Sequence, residues 1–222
     1  TLRVSDGDGG VTTDTATITV LNVAPTADAG GPYSVDEGGS VVLSGSGTDP
    51  IDTLSYAWDL NDDGTFESTG QSPTFDASTL DGPSTYTVTL RVSDGDGGVT
   101  TDTATISVLN VAPIVDAGGP YLAIVGEVVT FTVTITDVAA DSHTVEWDLD
   151  DDGTFETVGE TVTRTYASTG DYRVIVRVTD DDGALTIDEA WAVVAFQRVY
   201  LPASFRDHSS PIIVRVSHSS LT

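Results

Sequence analysis

Apolar and polar residues alternate along much of the chain. Tyr86, Val88, Leu90 and Val92 are separated by Thr87, Thr89 and Arg91, and the same alternation runs through Val129, Phe131, Val133 and Ile135 and through Tyr172, Val174, Val176 and Val178. A period of two turns one set of side chains inward and leaves the other in water, which predicts half-buried β-strands. The runs are short and end in turn clusters such as Asp94–Gly98 and Thr79–Pro83, and no stretch carries a helical period. Several short strands separated by such turns predict an all-β sandwich.

The pattern repeats. Thr1–Pro25 recurs at Thr89–Pro113 with one change, Thr19 becoming Ser107, and the segment Tyr56–Glu67 recurs in altered form as Val145–Glu156. The chain is therefore read as an array of sandwich units. Prolines close the linkers Leu21–Pro25 and Leu109–Pro113, where a strand must stop. This gives a hairpin fragment of a preceding unit at 1–23, whole units at 24–111 and 112–195, and a tail of different character at 196–222. The fragment should form a two-strand hairpin around Asp6–Gly10 with Leu2, Val4, Ala16, Ile18 and Val20 exposed.

Charge and composition narrow the function. The formal net charge is −27, from 35 acidic and 8 basic residues, a field that repels nucleic acid and anionic lipid. There is no Cys, hence no disulfide framework and no thiolate metal site, and no Met, so the sequence is read as a piece of a longer polypeptide. No apolar run is long enough to cross a membrane as a helix, and no membrane insertion is expected. His143, His208 and His218 stand in unrelated contexts, and no nucleophile elbow or phosphate loop is present, so no enzyme is expected.

Three features together resemble the PKD (polycystic kidney disease) domain. They are Gly-Gly-Pro-Tyr at Gly30 and Gly118, the segments Trp58–Gly64 and Trp147–Gly153, and the strand and loop from Tyr86 to Gly97. The resemblance covers both whole units and the opening fragment. It implies tandem immunoglobulin-like β-sandwiches in an extracellular or cell-surface protein, with Trp58 and Trp147 in the core of the third strand and Tyr86 and Tyr172 tied back to the preceding corner. The chain departs from the family pattern by one extra residue in the acidic loop after each Trp.

Those loops carry the candidate chemistry. Asp59, Asn61, Asp63 and Glu67, and their counterparts Asp148, Asp150, Asp152 and Glu156, space oxygens at alternate positions. Hard oxygen ligands in that spacing suit Ca2+. Gly70 and Gly159 stand where a twelve-residue calcium loop would place its final Glu, and Asp, Asn and Gly are also the commonest turn formers. Both readings, calcium loop and plain turn, stay open. In an immunoglobulin-like unit the loop after the third strand lies where the last strand exits. Asp59–Glu67 is thus expected to approach the next unit, whose loops carry Asp116, Asp137, Asp141 and Asp180–Asp182.

Two functions fit. One is a non-catalytic extracellular spacer or scaffold, stiffened by calcium, whose partners are neighbouring domains of the same polypeptide. The other is an accessory module that grips a polysaccharide or an extracellular protein fibre through aromatics such as Tyr33, Tyr121, Trp191 and Tyr200. Near-identical consecutive units favour the first, because copying lengthens a spacer without improving a specific site. Aligned final strands put Ala190, Ala192 and Val194 inward and Trp191 and Val193 outward, and two readings stay open: part of Phe196–Val216 folds back over Trp191, or the tail is disordered and Trp191 contacts a partner or ligand.

Overall fold

The computed structural model describes residues 1–196, all strand, turn or irregular. Among them no helix is long and apolar enough to cross a membrane. The strands in chain order are β1 (Leu2–Ser5), β2 (Val11–Asp14), β3 (Tyr33–Asp36), β4 (Ser40–Val42), β5 (Ser55–Asp59), β6 (Ser68–Thr69), β7 (Thr74–Asp76), β8 (Ser84–Ser93) and β9 (Val99–Leu109). They continue with β10 (Ile114–Asp116), β11 (Tyr121–Ile124), β12 (Val128–Thr132), β13 (Thr134–Thr136), β14 (His143–Asp148), β15 (Thr157–Val158), β16 (Thr161–Thr165), β17 (Gly170–Asp180) and β18 (Leu185–Ala195). The first whole repeat orders its main sheet β3-β9-β8-β5-β6, and the second orders its own β11-β18-β17-β14-β15. The second sheets pair β4 with β7 and β12 with β16. The repeat in sequence is a repeat in topology.

By its internal contacts the chain divides into two compact units: Thr1–Pro32, Val42–Thr74 and Thr87–Thr105 form one; Tyr33–Val41, Phe75–Tyr86 and the chain from Ile106 onward form the other. In the first, β5 pairs antiparallel with β8 from Ser55↔Ser93 to Asp59↔Thr89. Trp58 there is fully buried and its indole N–H donates to the Gly70 carbonyl at 3.1 Å. The hairpin β1–β2 closes around Asp6, which accepts the N–H groups of Asp8 and Gly10. It is shorter than the sequence suggests, since no strand continues past Asp14. Leu2, Val4, Ile18 and Val20 stand exposed, as expected of a hairpin with nothing to cover it.

In the second unit the alternating pattern becomes a core. Trp147, Phe131, Val174, Val176, Val178, Ala192 and Val194 form one cluster at 0% exposure. The indole of Trp147 donates to the Gly159 carbonyl at 3.0 Å, so the polar tip of a large buried side chain is satisfied locally. The run from Val129 to Ile135 is not one strand: β12 pairs with β16, and after Val133 the chain crosses to pair β13 with β10. Tyr172 at the edge of the cluster donates its phenol to the Ser168 carbonyl at 3.0 Å, the tie to the preceding corner that the sequence implies.

In each repeat a strand near the start runs parallel to the last one. β3 runs with β9 from Tyr33↔Ile106 to Asp36↔Leu109, and β11 runs with β18 from Tyr121↔Ala192 to Ile124↔Ala195. An aspartate on each last strand pins the segment just before: Asp102 accepts the Ala29 N–H, and Asp188 the Ala117 N–H.

Candidate metal centre

The two Trp-Asp loops close on their own backbone. In the first, Asp59 accepts the N–H groups of Asn61, Asp63 and Gly64, the last at 2.8 Å. Asp63 accepts the Thr65 N–H at 2.7 Å, a bond that leads in holding its carboxyl below the usual range. Glu67 accepts the Leu60 N–H at 2.6 Å. In the second loop Asp148 accepts four N–H groups, from Asp150, Asp151, Asp152 and Gly153. Burial works against its charge, and these donors together outweigh it, leaving the carboxyl lowered. Asp62 and Asp151 take left-handed φ values of 58° and 59° at the loop tips, a conformation that Asp tolerates better than most residues.

The loops differ in how their charge is met. Oxygens of Asp148, Asp150, Asp152 and Glu156 lie within 4.8 Å of one another. Arg164 reaches into this group, with 2.7 Å to Asp150 and 3.5 Å to Glu156. Among the described residues Asp59, Asp63 and Glu67 do not bring three such oxygens together. Sequence reasoning passed over the aromatic in each loop. Phe66 lies 4.1 Å under the Arg91 guanidinium and Phe155 4.2 Å under that of Arg177, which also grips Glu146 at 2.6 Å. These stacks hold the loops to the outer face of the sheet; the only signal was the repeated Gly-Thr-Phe-Glu.

Other carboxylates gather outside these loops. In the first unit Asp49, Asp52 and Asp94 converge, and Asn22 from the linker donates to Asp94 at 2.7 Å, which leads in lowering the Asp94 carboxyl. In the second unit Asp137, Asp141 and Asp180 form the matching group, with Asn110 donating to Asp180 at 3.2 Å and His143 bonded to Asp137 at 3.0 Å. A further set in the second unit joins Glu37, Asp81, Asp141 and Asp182. Glu37 is buried and accepts the N–H groups of Gly82 and Val111 at 2.7 and 2.6 Å. Burial, then the charges of Glu37 and Asp137, push the Asp141 carboxyl up to about 6. The sequence had named Asp141 and Asp182, but not Glu37 or Asp81.

Of the aromatics that a gripping module would present, the described ones differ in exposure. Tyr121 is half-buried: its phenol donates to the Ala117 carbonyl at 2.7 Å and its ring packs on Phe131. Tyr33 is also half-buried. Trp191 stands out at 46% exposure beside Pro120, Asp171 and Val193, on the outward face the sequence assigned to it. Phe196 is exposed, and Tyr200 and the rest of the tail that one reading folds over Trp191 fall at 197–222, outside the described residues.

A search of the curated proteins returned no match to this chain. Among solved structures, fibronectin(III)-like modules of Clostridium thermocellum CbhA are 17% identical over 83% of this chain and 99% of that one, with a TM-score of 0.34. The first four immunoglobulin domains of Sidekick-1 are 16% identical over 81% of this chain and 51% of that one, with a TM-score of 0.43. Three N-terminal domains of the bacteriophage RB49 outer capsid protein Hoc are 13% identical over 79% of this chain and 59% of that one, with a TM-score of 0.35. The PKD domain family matches twice, over residues 22–108 and 110–194. With the two successive sheets of like strand order, this shows that the chain belongs to the PKD domain family as a tandem array of immunoglobulin-like β-sandwiches.

Proposed function

We propose that the chain is a non-catalytic spacer in an extracellular or cell-surface protein, holding other domains of the same polypeptide apart and carrying tension between them. The observation that carries this reading is the parallel pairing of an early strand with the last one in each repeat, β3 with β9 and β11 with β18. Pulling on the two ends of such a repeat loads the parallel pair in shear, so its hydrogen bonds must fail together rather than one by one. A short tandem of near-copies built this way lengthens without losing strength at any unit.

Calcium at the Trp-Asp loops belongs to the same reading. An ion joining Asp148, Asp150, Asp152 and Glu156 would take over from Arg164, so binding is expected to be weak, with Kd about 0.1–1 mM. Calorimetric titration of wild type and Asp148→Ala tests it, and identical titrations would remove these loops from the account.

Among the described residues only the exposed Trp191 favours the competing reading, a grip on polysaccharide or protein fibre. Retention of the chain on insoluble polysaccharides and on fibrous protein separates the two. The spacer reading expects no retention, with Trp191→Ala indistinguishable from wild type; retention lost in Trp191→Ala would overturn it.

A further inference from the structure

Most carboxylates of the chain are met by a backbone N–H or a guanidinium, but Asp141 is not. Both of its carboxylate oxygens are buried without a hydrogen-bond partner. Each of Glu37, Asp81 and Asp182 offers an oxygen beside it, and the four ligand atoms lie within 4.8 Å of one another, all inside the second unit. Among the described residues none of the four is in an ion pair with Lys, Arg or His. Four acidic groups in so small a space, one of them sealed from water, lack the positive charge that would hold them together.

We propose that Glu37, Asp81, Asp141 and Asp182 form a calcium site, with the buried carboxylate of Asp141 its central ligand. Ca–O bonds of about 2.3–2.6 Å put opposite ligands roughly 4.6–5.2 Å apart, and since no two of the four oxygens are farther apart than 4.8 Å they lie within reach of a single ion. The donor set is oxygen only, without imidazole or thiolate, which selects a hard cation. The larger, geometrically tolerant Ca2+ suits a cluster of carboxylates, whereas Mg2+ keeps most of its waters. Glu37 is aligned in advance, because its bonds to the Gly82 and Val111 N–H groups fix both oxygens. Its place in the second repeat is taken by Val125: the Glu37 N–H bonds the Leu109 carbonyl as the Val125 N–H bonds that of Ala195. The carboxylate is therefore found in the first repeat and not at the matching position of the second. The site rests on these positions and not on the spacer reading.

Calcium titration calorimetry and melting curves in calcium or chelator, on the full chain, test the proposal with wild type, Asp141→Asn, Asp182→Asn and, as a control in the Trp-Asp loop, Asp150→Asn. Wild type is expected to bind calcium and melt higher in it, and to respond less to an equal concentration of magnesium. Asp141→Asn and Asp182→Asn should each weaken binding at least tenfold, while Asp150→Asn leaves the affinity of this site within twofold. In chelator Asp141→Asn should melt above wild type, since it removes a buried charge that nothing meets. Asp182 is exposed, so its variant decides the matter even if position 141 tolerates no change. Absence of calcium binding in wild type, wild-type affinity in Asp141→Asn and Asp182→Asn, or a calcium response lost only in Asp150→Asn would overturn the site.

Discussion

Single residues explain why the repeat pattern folds, and where it is under stress. Trp58 and Trp147 were legible because alternation forces them inward; their acceptors, the carbonyls of Gly70 and Gly159, were not, because a hydrogen bond across a loop leaves no periodic trace. Gly45 shows how tight the packing is: a Cβ there would sit 2.6 Å from Trp58 Cζ2 and 2.9 Å from Leu90 Cδ2. Gly45→Ala is expected to cost about 1–3 kcal/mol, read as a shift in denaturant midpoint. Asp141 stresses the fold in the opposite sense. Its carboxyl is raised from 3.8 to about 6, so it favours the folded state fully below the unfolded value, and that contribution is lost as pH rises through the folded one. In chelator, wild type should therefore lose stability relative to Asp141→Asn as pH rises from about 4 to about 6, and parallel pH profiles for the two would show that Asp141 is not under this strain. No sequence pattern exposed this, because Asp141 meets Glu37 only through the fold.

At the level of elements, strand and turn positions followed from the sequence wherever alternation was clean. It failed where tertiary pairing changes partners, as between β12 and β13. It also overextended the opening hairpin, whose apolar residues find no sheet to join. With only the pairs from Leu2↔Asp14 to Ser5↔Val11, β1 and β2 are expected to exchange amide protons within seconds, while β17 stays protected; equal protection would mean that something covers the hairpin. The corner at Tyr172 is held more firmly. Tyr172→Phe removes the bond to the Ser168 carbonyl while leaving the ring stacked on Tyr166 at 4.2 Å, and should cost about 1 kcal/mol in equilibrium unfolding.

Across the whole molecule, sequence repetition gave the number of sandwiches and their class, and the PKD match confirms both. The candidate site was less legible. The Trp-Asp loops stood out by spacing, yet their oxygens are largely engaged by N–H groups and by Arg164; the least satisfied carboxylate lies in a loop with no motif. Each repeat is proposed to bear tension through its parallel strand pair, β3 with β9 and β11 with β18, and stretching single molecules between their two ends loads that pair. Two abrupt unfolding events are expected, each releasing about 30 nm of chain at ~3.5 Å per residue, with one event weakened by Ala123→Pro, which disrupts β11 beside β18. Smooth extension without events, or two events unchanged by that substitution, would contradict it.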